Sequence, residues 1–284
     1  MTTGKEKNVF NIAINGNFDD CQNLVKDMFA DKTFSKEIKM SGVNSINWAR
    51  IIAQSVYYFY SYFLTGDNNQ PVNFSVPTGN FGDIYAGYLA KKMGLPINKL
   101  IVATNQNDIL HRAISKGTYD VEKVLETISP SMDIQIASNF ERLIYDLNNC
   151  NDEKTTDAMK DIKEKGKYTI NKKSLDKINI DFLSSRMNEA EVLKTIKTVY
   201  EKFNIVLDPH TAIGYGAFDK VNLSGNNIVL GTAHPCKFPD AIKRSINIKA
   251  ELPDELSFIL DEKENYDIID NSLEKIKEHI KERI

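Results

Sequence analysis

The stretch Ser75 to Asp83, S-V-P-T-G-N-F-G-D, constrains this chain more than any other, because it joins two patterns of different period. Upstream, Val72, Phe74 and Val76 alternate with polar neighbours, which predicts a short strand that Pro77 closes by removing a backbone donor. Downstream, Ile84, Ala86, Tyr88, Leu89 and Met93 fall at helical spacing, and Gly94 and Pro96 give the stop signal. A strand therefore passes into a helix through T-G-N-F-G-D. Two glycines three apart let the backbone approach a ligand, and the unpaired amides at a helix start attract an anion. The stretch matches neither the Walker pattern nor G-x-G-x-x-G, so by spacing alone it reads equally as a phosphate cup or as a plain tight turn.

Length and charge narrow the classes around that feature. With 284 residues, 42% of them hydrophobic, the chain can bury one large core or two ordinary ones. Lysine and arginine number 36 against 39 acidic residues, a net charge of −3, which leaves no electrostatic footprint for nucleic acid or a membrane surface. Cys21, Cys150 and Cys236 are odd in number and widely spaced, so they form neither a disulfide framework nor a zinc pattern. The N-terminal residues do not read as a signal peptide, and a cytoplasmic location is expected.

Taken in order, Val9 to Ile14 predicts a strand and Cys21 to Phe29 a helix. Their turn, G-N-F-D-D at 16–20, echoes G-N-F-G-D at 79–83, but Asp19 replaces Gly82 and adds a charge hostile to phosphate, so that turn reads as structural. Ile38 to Met40 suggests a short strand. The apolar stretch Ile46 to Leu64 spreads its side chains around a whole helix circumference, which predicts a central buried helix with Asn44 or Ser45 as its cap. Asn47, Arg50 and Gln54 argue against a membrane span. Leu100 to Ala103 reads as a strand, Thr104 to Asp108 as the start of a helix reaching Lys116, Pro130 to Ile136 as an extended piece and Asn139 to Leu147 as a helix. Residues 151–177 are rich in charge and read as a solvated excursion with a helix at 157–165. A helix at Glu189 to Phe203, a strand at Ile205 to Leu207, a helix at Ala212 to Val221, a strand at Asn227 to Leu230, a helix from Pro239 and a surface helix in the tail complete the reading. The β-α-β-α centre implies an α/β fold with a parallel sheet flanked by helices. His210 and His234 neighbour proline turns and read as structural, His111 and His279 as helix-surface residues, and no metal spacing is present.

Residues 77–96, P-T-G-N-F-G-D-I-Y-A-G-Y-L-A-K-K-M-G-L-P, resemble the cofactor-phosphate loop of the threonine synthase family, pyridoxal-phosphate enzymes of fold type II with tryptophan-synthase-like architecture. Four further segments resemble the family in the same order: N-I-A-I-N-G-N-F-D-D-C-Q at 11–22, G-V-N-S-I-N-W-A-R at 42–50, P-S-M-D-I-Q-I-A-S-N-F-E-R at 130–142 and G-T-A-H-P-C-K-F at 231–238. The resemblance covers the family's C-terminal portion. The N-terminal portion, with the lysine that holds pyridoxal phosphate as a Schiff base, has no counterpart, so the chain reads as an incomplete, split or truncated enzyme.

The resemblance implies that Gly79, Asn80, Phe81, Gly82 and Asp83 form the cofactor-phosphate cup, with the Asn80 side chain as an added donor and Asp83 as a helix cap. It implies that Thr232 faces the ring nitrogen, and that the entrance of the long helix, Asn44, Ser45, Asn47 and Arg50, lies near substrate, where capping alone is the bland alternative. Lys237 is expected to meet a substrate phosphate or solvent rather than to replace the missing lysine. Residues 1–40 are expected to end a smaller α/β subdomain and residues 41–284 to form the cofactor-binding domain. The implied reaction is conversion of O-phospho-L-homoserine and water to L-threonine and phosphate, by a carbon–oxygen lyase inactive as this chain alone. A separate N-terminal polypeptide is an expected partner. A non-catalytic remnant and an unrelated phosphate-ligand-binding α/β module are the alternatives.

Overall fold

The computed structural model describes residues 2–16, 18–45, 47–65 and 70–284, without the side chains of 18, 19, 22 and 260. Ile46 and the Asp19 side chain, both invoked above, lie outside the described residues. The chain begins with β1 (Ile12–Asn15), α1 (Phe18–Ala30) and α2 (Lys32–Glu37). Then come α3 (Trp48–Leu64), β2 (Val72–Pro77), α4 (Gly82–Lys92), β3 (Ile97–Thr104), α5 (Ile109–Lys116) and β4 (Thr118–Asp120). Next are α6 (Phe140–Leu147), α7 (Asp152–Lys165), β5 (Lys167–Thr169), α8 (Lys172–Asp181) and β6 (Phe182–Arg186). The remainder holds α9 (Glu189–Phe203), α10 (Pro209–Val221), β7 (Asn226–Val229), α11 (Pro239–Ile246), β8 (Asp267–Asp270) and α12 (Leu273–Lys281). No helix among the described residues is long and apolar enough to cross a membrane.

Two compact units result, Met1–Gly42 with Leu252–Ile284, and Val43–Glu251. The expected second domain ran on to residue 284; residues 252–284 group instead with the N-terminal ones, because β8 pairs parallel with β1. Leu24, Met28, Phe34 and Ile276 are the buried centre of this unit. The strand expected at Ile38 to Met40 is a turn, with Lys39 in the left-handed region at φ 51°, since α2 occupies the residues before it.

The larger unit is built on a parallel sheet in the order β6-β3-β2-β7. Its two central strands, β2 and β3, are covered on both faces, as parallel strands usually are. Leu100 and Val102 of β3 join one core cluster, with Val72, Phe74 and Val76 of β2, while Ile101 and Ala103 join the other. The polar residues of β2 are therefore buried too. Asn73 donates to Ser224 O and Asn227 Oδ1, and Ser75 donates to Gly214 O at 2.6 Å, so their burial costs little.

Several expectations fail here for local reasons. The long helix is capped by Asn47, whose side chain accepts from Ala49 N, rather than by Asn44 or Ser45. Only Ile51, Ser55, Tyr58 and Tyr62 of α3 are buried, and Ile52, Val56, Tyr57, Tyr60, Phe63 and Leu64 are exposed, so one face of α3 and not its whole circumference packs inward. Asn105 and Asn107 do not start a helix; both donate to Asp133 Oδ1, at 2.7 and 2.9 Å, and tie down the loop after β4. Pro130 to Ile136 is a 3-10 turn followed by irregular chain. Residues 151–177 are more than a solvated excursion: Thr155, Ala158, Ile162 and Ile170 are buried, and β5 pairs antiparallel with β4. Ile205 to Leu207 has no strand partner, and Val206 and Leu207 pack against the second core cluster.

Candidate active site

In an open parallel sheet, loops at the carboxyl ends of neighbouring strands share one edge, and ligands bind there. β2 and β7 are such neighbours, in register through Ser75 and Val229, with Leu230 N donating to Ser75 O at 3.1 Å. The 78–81 turn and the 231–238 segment thus line one cavity of about 270 Å³, together with Ser45, Arg50 and Gln54 from the start of α3, Ser131 and Met132, and His210 from the start of α10.

The turn is strained at one residue, and that residue is not a glycine. Phe81 has φ 65°, a left-handed conformation unfavourable for a bulky side chain. Its ring is 1% exposed and packs on Phe140 and Phe182 at centroid distances of 5.2 and 5.9 Å, which holds the conformation. The glycines serve close packing. A Cβ at Gly79 would stand 2.6 Å from Ser131 O, and one at Gly82 would stand 3.2 Å from Ser45 Cβ and Ile51 Cδ1. The loop before α6 braces the turn from outside: Asn139 N donates to Asn80 O at 3.1 Å and Ser138 Oγ to Asn80 Oδ1 at 3.4 Å, leaving the Asn80 amide group as a donor.

The helix start has no side-chain cap, which corrects the role expected of Asp83. Its carboxylate accepts from the Tyr58 hydroxyl at 3.3 Å, and the same hydroxyl donates to Asp83 O at 2.8 Å. Burial pushes the Asp83 carboxyl up to about 6, with the Tyr58 hydrogen bond pulling the other way. Among the described residues, no acceptor meets the backbone amides of Gly79, Asn80, Phe81, Gly82, Asp83 or Ile84. Six successive donors at the mouth of a helix, in a cavity, make an anion cradle.

Of the other predicted residues, Ser45, Arg50, Thr232 and Lys237 line the same cavity, whereas Asn44 and Asn47 do not. Arg50 donates one Nη1 bond to Val43 O at 2.9 Å. The Lys237 amine has no partner among the described residues. His234 accepts from Cys236 N, a turn cap, as its structural reading expects. His111, read as a surface residue, is half-buried against Ser184 Oγ at 3.0 Å. Sequence reasoning missed Gln54, whose Oε1 is buried without a partner, and His210, which is 3% exposed with Nε2 equally unpartnered. The local signal for His210 was D-P-H-T: Asp208 caps α10, Pro209 is its first residue, and His210 N and Thr211 N donate to the carboxylate.

A family model described as "Threonine synthase, C-terminal" matches residues 211–280. The chain is 45% identical over 280 residues to a threonine synthase of Pseudomonas aeruginosa, covering 98% of this chain and 60% of that protein. It matches the C-terminal portion of threonine synthases. A threonine synthase of Saccharomyces cerevisiae is 42% identical, over 100% of this chain and 61% of its own length. The crystal structure of pyridoxal-phosphate-bound threonine synthase from Brucella melitensis matches with a TM-score of 0.94 at 46% identity, over 100% of this chain and 61% of that one. The fold is therefore that of fold type II threonine synthases, and the chain spans about three fifths of the length of the relatives it matches.

Proposed function

We propose that this chain forms the cofactor-phosphate cup, the ring-nitrogen contact and part of the substrate wall of a pyridoxal-phosphate-dependent threonine synthase, which converts O-phospho-L-homoserine and water to L-threonine and phosphate in the cytosol. The observation that carries the reading is the run of six unpaired amides from Gly79 to Ile84 in the cavity that Thr232 also lines. Those amides fit a phosphate dianion through geometry and helix polarity without a dedicated cation. The Asn80 amide group adds a donor. The hydroxyl of Thr232 would meet the ring nitrogen without requiring it to be protonated, which moderates electron withdrawal. When bound, pyridoxal phosphate supplies the electron sink that lets protons leave carbon.

The residues of this chain then bind, orient and exclude water. Phe81 walls the cup with packed aromatic surface, and Arg50 and Lys237 bring positive charge to a substrate that carries a phosphate and a carboxylate. Lys237 is the one lysine among the described residues of the cavity lining. The lysine that bonds the cofactor in this family belongs to the portion that this chain does not span, carried on a longer chain or on a separate polypeptide, and this chain alone is inactive.

The test is calorimetric titration of pyridoxal phosphate into the purified chain, beside an Asn80→Ala variant. Saturable binding that the substitution weakens supports the cup. No binding overturns it, and turnover of O-phospho-L-homoserine by the pure chain overturns the assignment of an external lysine.

A further inference from the structure

His210 stands in the cavity lining with half of its chemistry unused. Its Nδ1 lies 3.0 Å from Asp208 Oδ1, and Asp208 is itself 1% exposed. A carboxylate only accepts, so the ring donates from Nδ1 and its orientation is fixed. The same carboxylate accepts from His210 N at 2.9 Å and from the Thr211 hydroxyl, and that hydroxyl in turn accepts from Thr232 N at 3.4 Å. The ring leans on Phe238 at a centroid distance of 4.9 Å. The far nitrogen, Nε2, is buried and meets nothing. An orphaned buried polar atom destabilises the fold, and a histidine kept only for packing has no need of that cost. The unpaired Lys237 amine lines the same cavity.

We propose that His210, oriented by Asp208, is a catalytic residue that hydrogen-bonds the phosphate of a phosphate-monoester substrate through Nε2 and protonates it as it departs, with Lys237 as counter-charge. The inference rests on the reading that the amide cradle takes the cofactor's phosphate, so that a second phosphate uses the His210 and Lys237 wall. Imidazole and phosphate monoesters ordinarily hold their protons with similar strength, at about 6.5 and about 6, so a hydrogen bond between them passes a proton at little cost. A dianionic phosphate against Nε2 holds the ring doubly protonated, the second proton coming from solvent, so that Nε2 donates to the phosphate while Nδ1 donates to Asp208. As the carbon–oxygen bond breaks, its electron pair moves onto the phosphate oxygen and the Nε2 proton passes to the phosphate. The dianionic ester thereby leaves as hydrogen phosphate, and the imidazole is left neutral beside Asp208. When water adds, its oxygen bonds to carbon and its surplus proton returns to Nε2.

The experiment is nitrogen NMR of the imidazoles in ¹⁵N-labelled chain. With four histidines in the sequence, His210→Asn assigns the signal by its loss. Inorganic phosphate is titrated first into the free chain and then with pyridoxal phosphate at saturation. The expected result is an Nδ1-protonated ring whose Nε2 signal moves saturably in both titrations, an Asp208→Asn variant that loses the tautomer preference, and a Lys237→Ala variant with phosphate affinity lowered at least threefold. An Nε2 signal that ignores phosphate while pyridoxal phosphate still binds overturns the proposal. A signal that responds only until pyridoxal phosphate is added also overturns it, because the phosphate was then occupying the cradle. A response at His210 in a chain that binds no pyridoxal phosphate supports the histidine subsite and overturns the cofactor reading instead. The wild-type titrations need no variant, so a misfolded substitution leaves the proposal open to refutation.

Discussion

Replacing Asp83 by Asn tests the electrostatics of the cradle directly. Burial raises this carboxyl from 3.8 to about 6. Between those values the unfolded chain has released a proton that the folded chain still holds, so the native state loses stability as pH rises through that window. The ionised carboxylate is costly because burial strips it of water, and among the described residues it has one hydroxyl donor and no paired cation. Asn keeps an acceptor for Tyr58 and removes the charge. The shift of about two units makes the variant more stable than the parent by about 1 kcal/mol near about pH 4.5 and by about 3 kcal/mol near about pH 7. Urea unfolding at several pH values, followed by the fluorescence of Trp48, measures this; Trp48 is the chain's one tryptophan and lies in the same unit. Other titrating groups cancel in the difference between the two proteins. A stability difference that stays constant from about pH 4.5 to about pH 7 would refute the argument. The same variant should bind pyridoxal phosphate more tightly near neutrality, since one negative charge has left the cradle.

Gly79→Ala places a methyl 2.6 Å from the Ser131 carbonyl oxygen, a backbone atom that cannot swing away; calorimetry should show affinity for pyridoxal phosphate reduced at least tenfold, and denaturation a loss of about 2 kcal/mol. Phe81→Ala removes packed aromatic surface and should cost about 3–5 kcal/mol. Phe81→Gly should cost less than Phe81→Ala, because glycine adopts φ 65° without strain; the opposite ranking in urea midpoints would show that the left-handed turn carries no penalty. Asp133→Ala deprives Asn105, Asn107 and Thr127 of their common acceptor. It should destabilise by about 3 kcal/mol and increase hydrogen exchange in the loop that braces the cup.

The 78–81 turn and its helix were legible because strand, turn and helix are consecutive, so local period and punctuation suffice to describe them. α9 was legible to its last residue because its apolar stripe, the cap at Asn188 and the stop at Asn204 agree. β6 and β8 were not. Phe182 to Arg186 and Asp267 to Asp270 hold only two large apolar residues each, and they become strands through partners distant in sequence, β3 and β1. Ile205 to Leu207 failed in the opposite sense: its propensity is for strand, but Val206 and Leu207 pack on the second core cluster while Ile205 is exposed. The place of His210 in the cavity was not legible, because a histidine after proline announces only a turn, and its surroundings depend on a carboxylate two residues away and on a cavity built from other segments. The exposed stripe on α3 escaped notice because an all-round apolar helix looks buried whichever surfaces the chain itself provides.

The pairing of β1 with β8 sets a clock on biosynthesis. Ile12 finds its register opposite Asp267, and a ribosome adding about 5–20 residues per second needs roughly 13–50 s to deliver the second strand after the first. Through that interval the larger unit, encoded without interruption between them, can complete its sheet, while Ile12 and Ile14 wait on the nascent chain with an open edge. Of the two units the smaller is therefore the later to become able to close, and its closure is the step more exposed to mispairing.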